Sequence, residues 1–131
     1  MTRYDEVVAG ATSSEQLRDG FVAMFFDTLA EDATLHRLWY DLRNQSLFDE
    51  SFRADVLEID GHREAMVWRV ISRYAELRGG EPAGSPAVAY VTLDGVFQRA
   101  LLHHLAGDAE AVARLRDELP AVMDLLVTDA G

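Results

Sequence analysis

The chain has 131 residues, no cysteine, and a net charge of −11, because 23 acidic residues outnumber 12 basic ones. This length predicts a single domain over residues 1–131, and the absence of cysteine excludes thiolate sites and is typical of a cytoplasmic protein. Because the basic residues are arginines scattered among carboxylates, the chain alone is not expected to bind nucleic acid or an anionic membrane.

The sequence predicts an all-α fold of about six helices, because no segment alternates apolar and polar residues as a half-buried strand does. Residues 21–26, in the second helix, are apolar on every side, which predicts a central, buried helix. The helices are expected over residues 4–11, 14–30, 33–48, 50–78, 86–106 and 108–127.

Local signals define several helix ends. Ser13 and Gln16 have the spacing of a capping box at the start of the second helix. Ser85 followed by Pro86 is typical of a helix start, and Gly107 of a helix end.

Each of the last two helices has a narrow apolar seam with alternating steps of three and four residues, as in helix bundles with near-parallel axes. The fifth helix has a second apolar face, formed by Tyr90, Leu93, Phe97 and Leu101 with Asp94 beside it. We expect one face to meet the core and the other to meet a second subunit of a C2 homodimer, the alternative being that both faces are buried within one chain. The residues of the predicted dimer interface are Val88, Val91, Gly95, Gln98, Leu102, Leu105, Val112, Leu115, Leu119, Val122 and Leu126.

Three features resemble the C-terminal region of the tetracycline-repressor (TetR) family of bacterial transcriptional regulators. They are the fragment Leu-His-Arg-Leu-Trp-Tyr-Asp-Leu at 35–42, the long fourth helix, and Val-Thr-Leu-Asp-Gly-Val-Phe at 91–97. The correspondence runs from Tyr4 to Val127. It implies a ligand-binding domain whose last two helices form a four-helix bundle with those of a second subunit. It also implies a partly apolar pocket in which a small-molecule effector alters the DNA affinity of attached heads.

The N-terminal helix-turn-helix head of this family is absent from the sequence, and residues 1–11 would correspond to the end of the helix that links head to body. We therefore expect either a fragment of a longer regulator or a naturally headless protein. The leading hypothesis is an effector-sensing and dimerisation domain that meets DNA only through a head outside this chain. The alternative is a headless dimerisation or ligand-carrying module with no DNA-binding role, and a helical enzyme ranks third.

Two charged residues lie on or beside apolar helix faces: Arg63 on the fourth helix and Asp94 on the fifth. Burying an unpaired charge is costly, so two alternatives are open for each residue. Either its charge is paired or reaches the surface, or it lines the pocket and orients a polar effector. The expected pocket residues are Phe21, Met24, Phe25, Trp39, Leu42, Arg63, Met66, Val70, Tyr90, Asp94 and Phe97.

No catalytic motif is present, since the serines lack a nucleophile-elbow context and no glycine-rich phosphate loop leads into a helix. Carboxylate–histidine pairs at helical spacing are more often exposed ion pairs or helix-end charges than metal ligands. We therefore expect no catalytic residue, no metal and no cofactor. The pairs are Glu58 with His62, Asp32 with His36, and His104 with Asp108.

Overall fold

Six helices and one two-stranded ribbon make up residues 2–129, the part of the chain that the computed structural model describes. The prediction of an all-α bundle is confirmed, while the short ribbon was not predicted. No helix in this range is both long and apolar enough to cross a membrane. The elements are α1 (Arg3–Gly10), α2 (Ser14–Glu31), α3 (Ala33–Gln45), α4 (Arg53–Leu77), β1 (Glu81–Pro82), α5 (Pro86–Leu105), α6 (Ala109–Leu125) and β2 (Val127–Thr128).

Side-chain caps fix the starts of the first two helices. At α2 the backbone N–H of Gln16 donates to Ser13 Oγ at 3.1 Å, which is half of the predicted capping box. The side chain of Gln16 accepts from Thr12 instead of Ser13, so the reciprocal bond is not made. A complete capping box occurs at α1, where Thr2 and Asp5 each accept from the other's backbone N–H.

The turn between α3 and α4 is longer than predicted, because polar side chains satisfy backbone groups there in place of helical bonds. Ser46 Oγ donates to the carbonyl of Arg43 at 2.6 Å, just after α3 ends at Gln45. The backbone N–H and hydroxyl of Ser51 both donate to Asp49 Oδ1, at 2.9 and 2.6 Å. As a result α3 ends three residues early and α4 starts three residues late.

Helix α2 is the centre of the bundle, since it contacts each of the other five helices. Its buried positions Leu17, Phe21, Phe25 and Leu29 recur at steps of four and face the interior. The prediction of a central second helix is therefore confirmed. Burial of these side chains is the main source of the bundle's stability.

The two short strands close one end of the bundle. Glu81 pairs with Thr128 and Pro82 with Val127 in an antiparallel ribbon. Next to it, the N–H of Gly80 donates to the carbonyl of Ala75 at 2.9 Å and ends α4. A Cβ atom at Gly80 would lie 1.7 Å from the Thr128 carbonyl oxygen, so the close approach of this strand requires glycine.

The apolar seam of α6 lies in the core of the single chain, and this corrects part of the predicted dimer interface. Leu119 is completely buried and Leu126 is 4% exposed, so neither has surface left to offer a second subunit. The reason is that α6 turns this face towards α2 and α5. The remaining seam residues of this helix are half-buried against the same core: Val112, Leu115 and Val122.

The two faces of α5 differ sharply. Tyr90, Leu93 and Leu101 are buried in the bundle, as predicted for the inner face. The outer face carries all six predicted interface positions of this helix, and each is exposed. They are Val88, Val91, Gly95, Gln98, Leu102 and Leu105.

Candidate functional site

A cavity of about 390 Å³ lies among the first five helices. Its size is within the range of about 300–1,000 Å³ that is usual for small-molecule sites. The walls are largely aromatic, with a few polar groups. The lining residues are Thr2, Arg3, Tyr4, Phe21, Phe25, Thr28, Asp32, His36, Tyr40, Arg63, Met66, Val67, Tyr90, Leu93, Asp94 and Phe97.

Seven of the eleven residues that the sequence analysis placed in a pocket line this cavity. They include both charged residues and the aromatic side chains of α2 and α5. They are Phe21, Phe25, Arg63, Met66, Tyr90, Asp94 and Phe97.

The other four expected pocket residues lie elsewhere, which corrects their assignment. Met24 is about 60° around α2 from Phe21, on a face that does not reach the cavity. Val70 lies one turn beyond Met66 on α4 and is 2% exposed, within the solid core. Trp39 and Leu42 occupy the core side of α3.

Polar lining residues were missed by the sequence analysis. Thr28 and His36 reach the cavity from α2 and α3, and Tyr40 lies one helical turn beyond His36. Tyr4 closes one side from α1, and its hydroxyl lies 3.2 Å from Thr28 Oγ1. The spacing of four residues between His36 and Tyr40 was the available signal, since it places both on one helix face.

Edge-to-face aromatic contacts form one wall of the cavity. The ring of Phe97 lies 5.0 Å from that of Phe25, at an interplanar angle of 79°. The imidazole of His36 meets the same Phe97 ring at 4.7 Å and 72°. Such pairs are worth about 0.5–1.5 kcal/mol each beyond the area they bury. The lining aromatic side chains of α2, α3 and α5 therefore pack directly against one another.

The carboxylate of Asp94 is neutralised within the chain. Arg43 Nη2 lies 2.9 Å from Asp94 Oδ2, and the Tyr40 hydroxyl donates to Oδ1 at 2.9 Å. The Tyr90 hydroxyl donates to Asp60 at 2.7 Å, and Asp60 is also 3.8 Å from Arg43. Asp94 is therefore paired within the chain and also lines the cavity, while its orienting of an effector stays a prediction.

Both tyrosines of this network remain protonated donors. Burial, followed by the negative charge of Asp94, raises the pKa of Tyr40 well above its usual value. Burial and the hydrogen bond to Asp60 raise the pKa of Tyr90 in the same direction. Around pH 7 the two hydroxyls contribute dipoles and no charge.

Arg63 has a different environment from Asp94. Its guanidinium lies over the indole of Trp39, 4.6 Å from the ring centroid. Within residues 2–129 no carboxylate forms an ion pair with it. Its positive charge is close enough to contribute to lowering the pKa of His36 and to counter the rise in the pKa of Tyr4.

His36 is neutral in the folded protein at pH 7. Burial is the main cause that lowers its pKa below the usual value of 6.5, and Arg63 acts in the same direction. Its Nε2 lies 3.2 Å from the carbonyl oxygen of Thr28. A carbonyl only accepts, so Nε2 carries the proton and Nδ1 is unprotonated.

The other histidines bear on two questions, metal ligation and ion pairing with carboxylates, and one such pair is found in residues 2–129. In residues 2–129 no group of three or more histidine and carboxylate side chains is placed to hold a metal ion. Asp108 lies 3.4 Å from His103 Nδ1 and caps α6, so its nearest histidine is not the predicted His104. This is a helix-end interaction of the kind expected from the sequence.

Comparison with known proteins gives no relative. No family model, no curated protein and no solved structure matches this chain. The cavity and the exposed face of α5 are therefore the features of the chain that bear on its class.

Proposed function

We propose that this chain is a small-molecule-sensing and dimerisation domain of the kind that TetR regulators carry. The observation that carries the proposal is the aromatic cavity of about 390 Å³ with a cation in its wall. A mostly apolar concave site with a few placed polar groups is the usual form of a small-molecule site. The TetR assignment itself rests on the sequence resemblance at 35–42 and 91–97.

The position of the cavity supports a sensing role. Five of the six helices contribute to its lining, so a bound molecule would contact α1, α2, α3, α4 and α5 together. A ligand shifts a conformational equilibrium only by its differential contacts with the two states. A site shared by five helices provides many such contacts.

The outer face of α5 supports dimerisation. Val91 and Leu102 are 67% and 64% exposed, and Gly95 lies between them with open space around its Cα. An apolar seam that recurs every three and four residues fits the same seam on a second copy across a two-fold axis. Glycine in the middle of the seam permits close approach of the two helices. The proposed dimer interface is therefore centred on α5.

Blocking the cavity tests the sensing role. Met66 lines the cavity and Met24 does not, although both are half-buried methionines. Thermal-shift and ligand-observed NMR screens of a fragment collection should give hits for the wild type and for Met24→Trp, but not for Met66→Trp. Equal binding by the two variants, or no hit for the wild type, would contradict the proposal.

A headless ligand carrier remains the competing function, and one observation separates it from the regulator. The genomic sequence upstream of the Met1 codon would encode a basic helix-turn-helix in the same reading frame for a regulator. An unrelated upstream gene would favour the carrier. Neither outcome alters the cavity experiment.

A further inference from the structure

The cavity contains a cation that the chain leaves without a counter-charge. Five arginines in residues 2–129 are half-buried, and Arg63 alone among them pairs with no carboxylate. The chain has 23 acidic residues for 12 arginines, so this is not a shortage of carboxylates. Burying an unpaired charge costs stability, which makes the exception informative. The paired ones are Arg18 with Asp19, Arg43 with Asp94, Arg73 with Glu76, and Arg78 with Asp124.

The guanidinium of Arg63 is placed against the indole ring of Trp39. The cation lies over the indole face, 4.6 Å from its centroid, where the ring quadrupole attracts it. A guanidinium stacked by its face still has N–H donors around its edge, in a plane that matches both oxygens of a carboxylate. Trp39 is 7% exposed, so the ring that Arg63 packs on belongs to the hydrophobic core.

None of the other ionisable groups near the cavity forms an ion pair with Arg63 in residues 2–129. Asp94 is neutralised by Arg43, and His36 is neutral because its pKa is lowered. Arg3 pairs with Glu31 outside, with more than half of each side chain exposed. Asp32 is exposed to solvent, where its charge is screened. Arg63 therefore remains, within residues 2–129, the half-buried charge of the cavity wall that has no opposite charge paired with it.

We infer that the ligand of this cavity is a small organic carboxylate with an apolar body, whose carboxylate binds Arg63 and whose body packs against the aromatic wall. This rests on the proposed small-molecule site and specifies its ligand class. Lining rings from Phe21, Phe25 and Phe97 suit an aromatic or short aliphatic body. A bidentate arginine–carboxylate contact gives both affinity and orientation.

Matched pairs of acids and alcohols test the inference. The probes are benzoate, 4-phenylbutyrate and octanoate, each compared with the alcohol of the same carbon skeleton by ligand-observed NMR titration. At least one acid should bind the wild type about ten-fold more tightly than its alcohol, equivalent to about 1.4 kcal/mol. Arg63→Met should remove this preference and leave alcohol binding unchanged. The control Arg37→Met, at an exposed arginine that forms no ion pair within residues 2–129, should keep it.

Each other outcome is decisive. Equal binding of acids and alcohols by the wild type would overturn the carboxylate assignment and leave the cavity as a small-molecule site. Failure of all probes to bind would contradict the assignment and the proposed site together. If Arg63→Met does not fold, Arg63→Lys replaces it. That variant keeps the charge and loses the planar fork, so it should bind the acid more weakly than the wild type but better than the alcohol.

Discussion

The guanidinium of Arg43 and the carboxylate of Asp94 lie 2.9 Å apart and join α3 to α5 beside the cavity. Their side chains are 23% and 16% exposed, so the pair is mostly shielded from water. The same carboxylate accepts a hydrogen bond from Tyr40. Two side chains of α3, one helical turn apart, thus hold a carboxylate of α5 and link two helices that line the site.

Asp94→Asn should lower the free energy of unfolding by about 1–3 kcal/mol, because it removes the charge that Arg43 pairs with and weakens a charge-assisted hydrogen bond. Urea denaturation followed by circular dichroism would measure this loss. The control is Glu110→Gln, which breaks a pair with Arg114 whose side chains are 86% and 64% exposed. That change should cost less than about 0.5 kcal/mol. If both variants lost the same free energy of unfolding, the Asp94 network would not stabilise the fold.

The double variant Val91→Glu with Leu102→Glu should sediment as a monomer, because two carboxylates on each copy would oppose each other across the outer face of α5. Both side chains are exposed in the single chain, so helical content should not change. The control is Leu57→Glu, which alters a residue of α4 that is 65% exposed. Its sedimentation should equal that of the wild type, and a monomeric wild type would refute the proposed interface.

Leu119→Ala should destabilise the chain by about 2–5 kcal/mol, because the side chain is completely buried and its loss leaves a cavity. Leu125→Ala, on the same helix at 77% exposure, should change stability by less than about 0.5 kcal/mol. Urea midpoints at several protein concentrations would measure both. If Leu119→Ala lowers the urea midpoint only at low protein concentration, Leu119 would belong to a subunit interface after all.

Acid should destabilise the protein through His36. Its pKa is lowered on folding, so the unfolded chain binds the extra proton more readily below the usual pKa of 6.5. The stability that the neutral ring contributes is complete above pH 6.5 and falls as the pH drops towards the lower folded-state pKa.

Urea denaturation of the wild type and His36→Gln, at about pH 7.5 and about pH 5, isolates this effect from other titrations. Asp32 and Arg63 are the charged groups that act on this ring, and both are present in the two proteins. The wild type should lose more stability than His36→Gln between these conditions. Parallel losses would show that the ring has an ordinary pKa.

The sequence predicts the helices well, because helix positions follow from local periodicity and from caps such as Ser13 and Ser85. Two errors at the turn between α3 and α4 arose from side chains that compete with helical bonds, at Ser46 and Ser51. Periodicity reports an apolar face and does not report what covers it. For that reason the outer seam of α5 and the buried seam of α6, which contains Leu119, looked alike in the sequence.

Only part of the site could be predicted, because sequence patterns show which residues are unusual on a helix face but not how the helices cross. Arg63 and Asp94 stood out because a charge on an apolar face has to be explained, and both line the cavity. Thr28 did not stand out, since polar residues near helix ends are common, and His36 was considered only as a pair with Asp32. Their position at the cavity depends on how α2 and α3 cross, which is a tertiary property.

The contrast between an acidic molecule and the unpaired guanidinium of Arg63 in its cavity has a kinetic consequence. With a net charge of −11, the protein repels an approaching carboxylate at distances well beyond the mouth of the site. Added salt screens this repulsion over a Debye length of about 10 Å at 0.1 M, while the contact with Arg63 lies closer than that. The association rate of 4-phenylbutyrate, measured by stopped flow, should therefore increase as ionic strength rises. The association rate of a ligand that the protein attracts electrostatically would decrease.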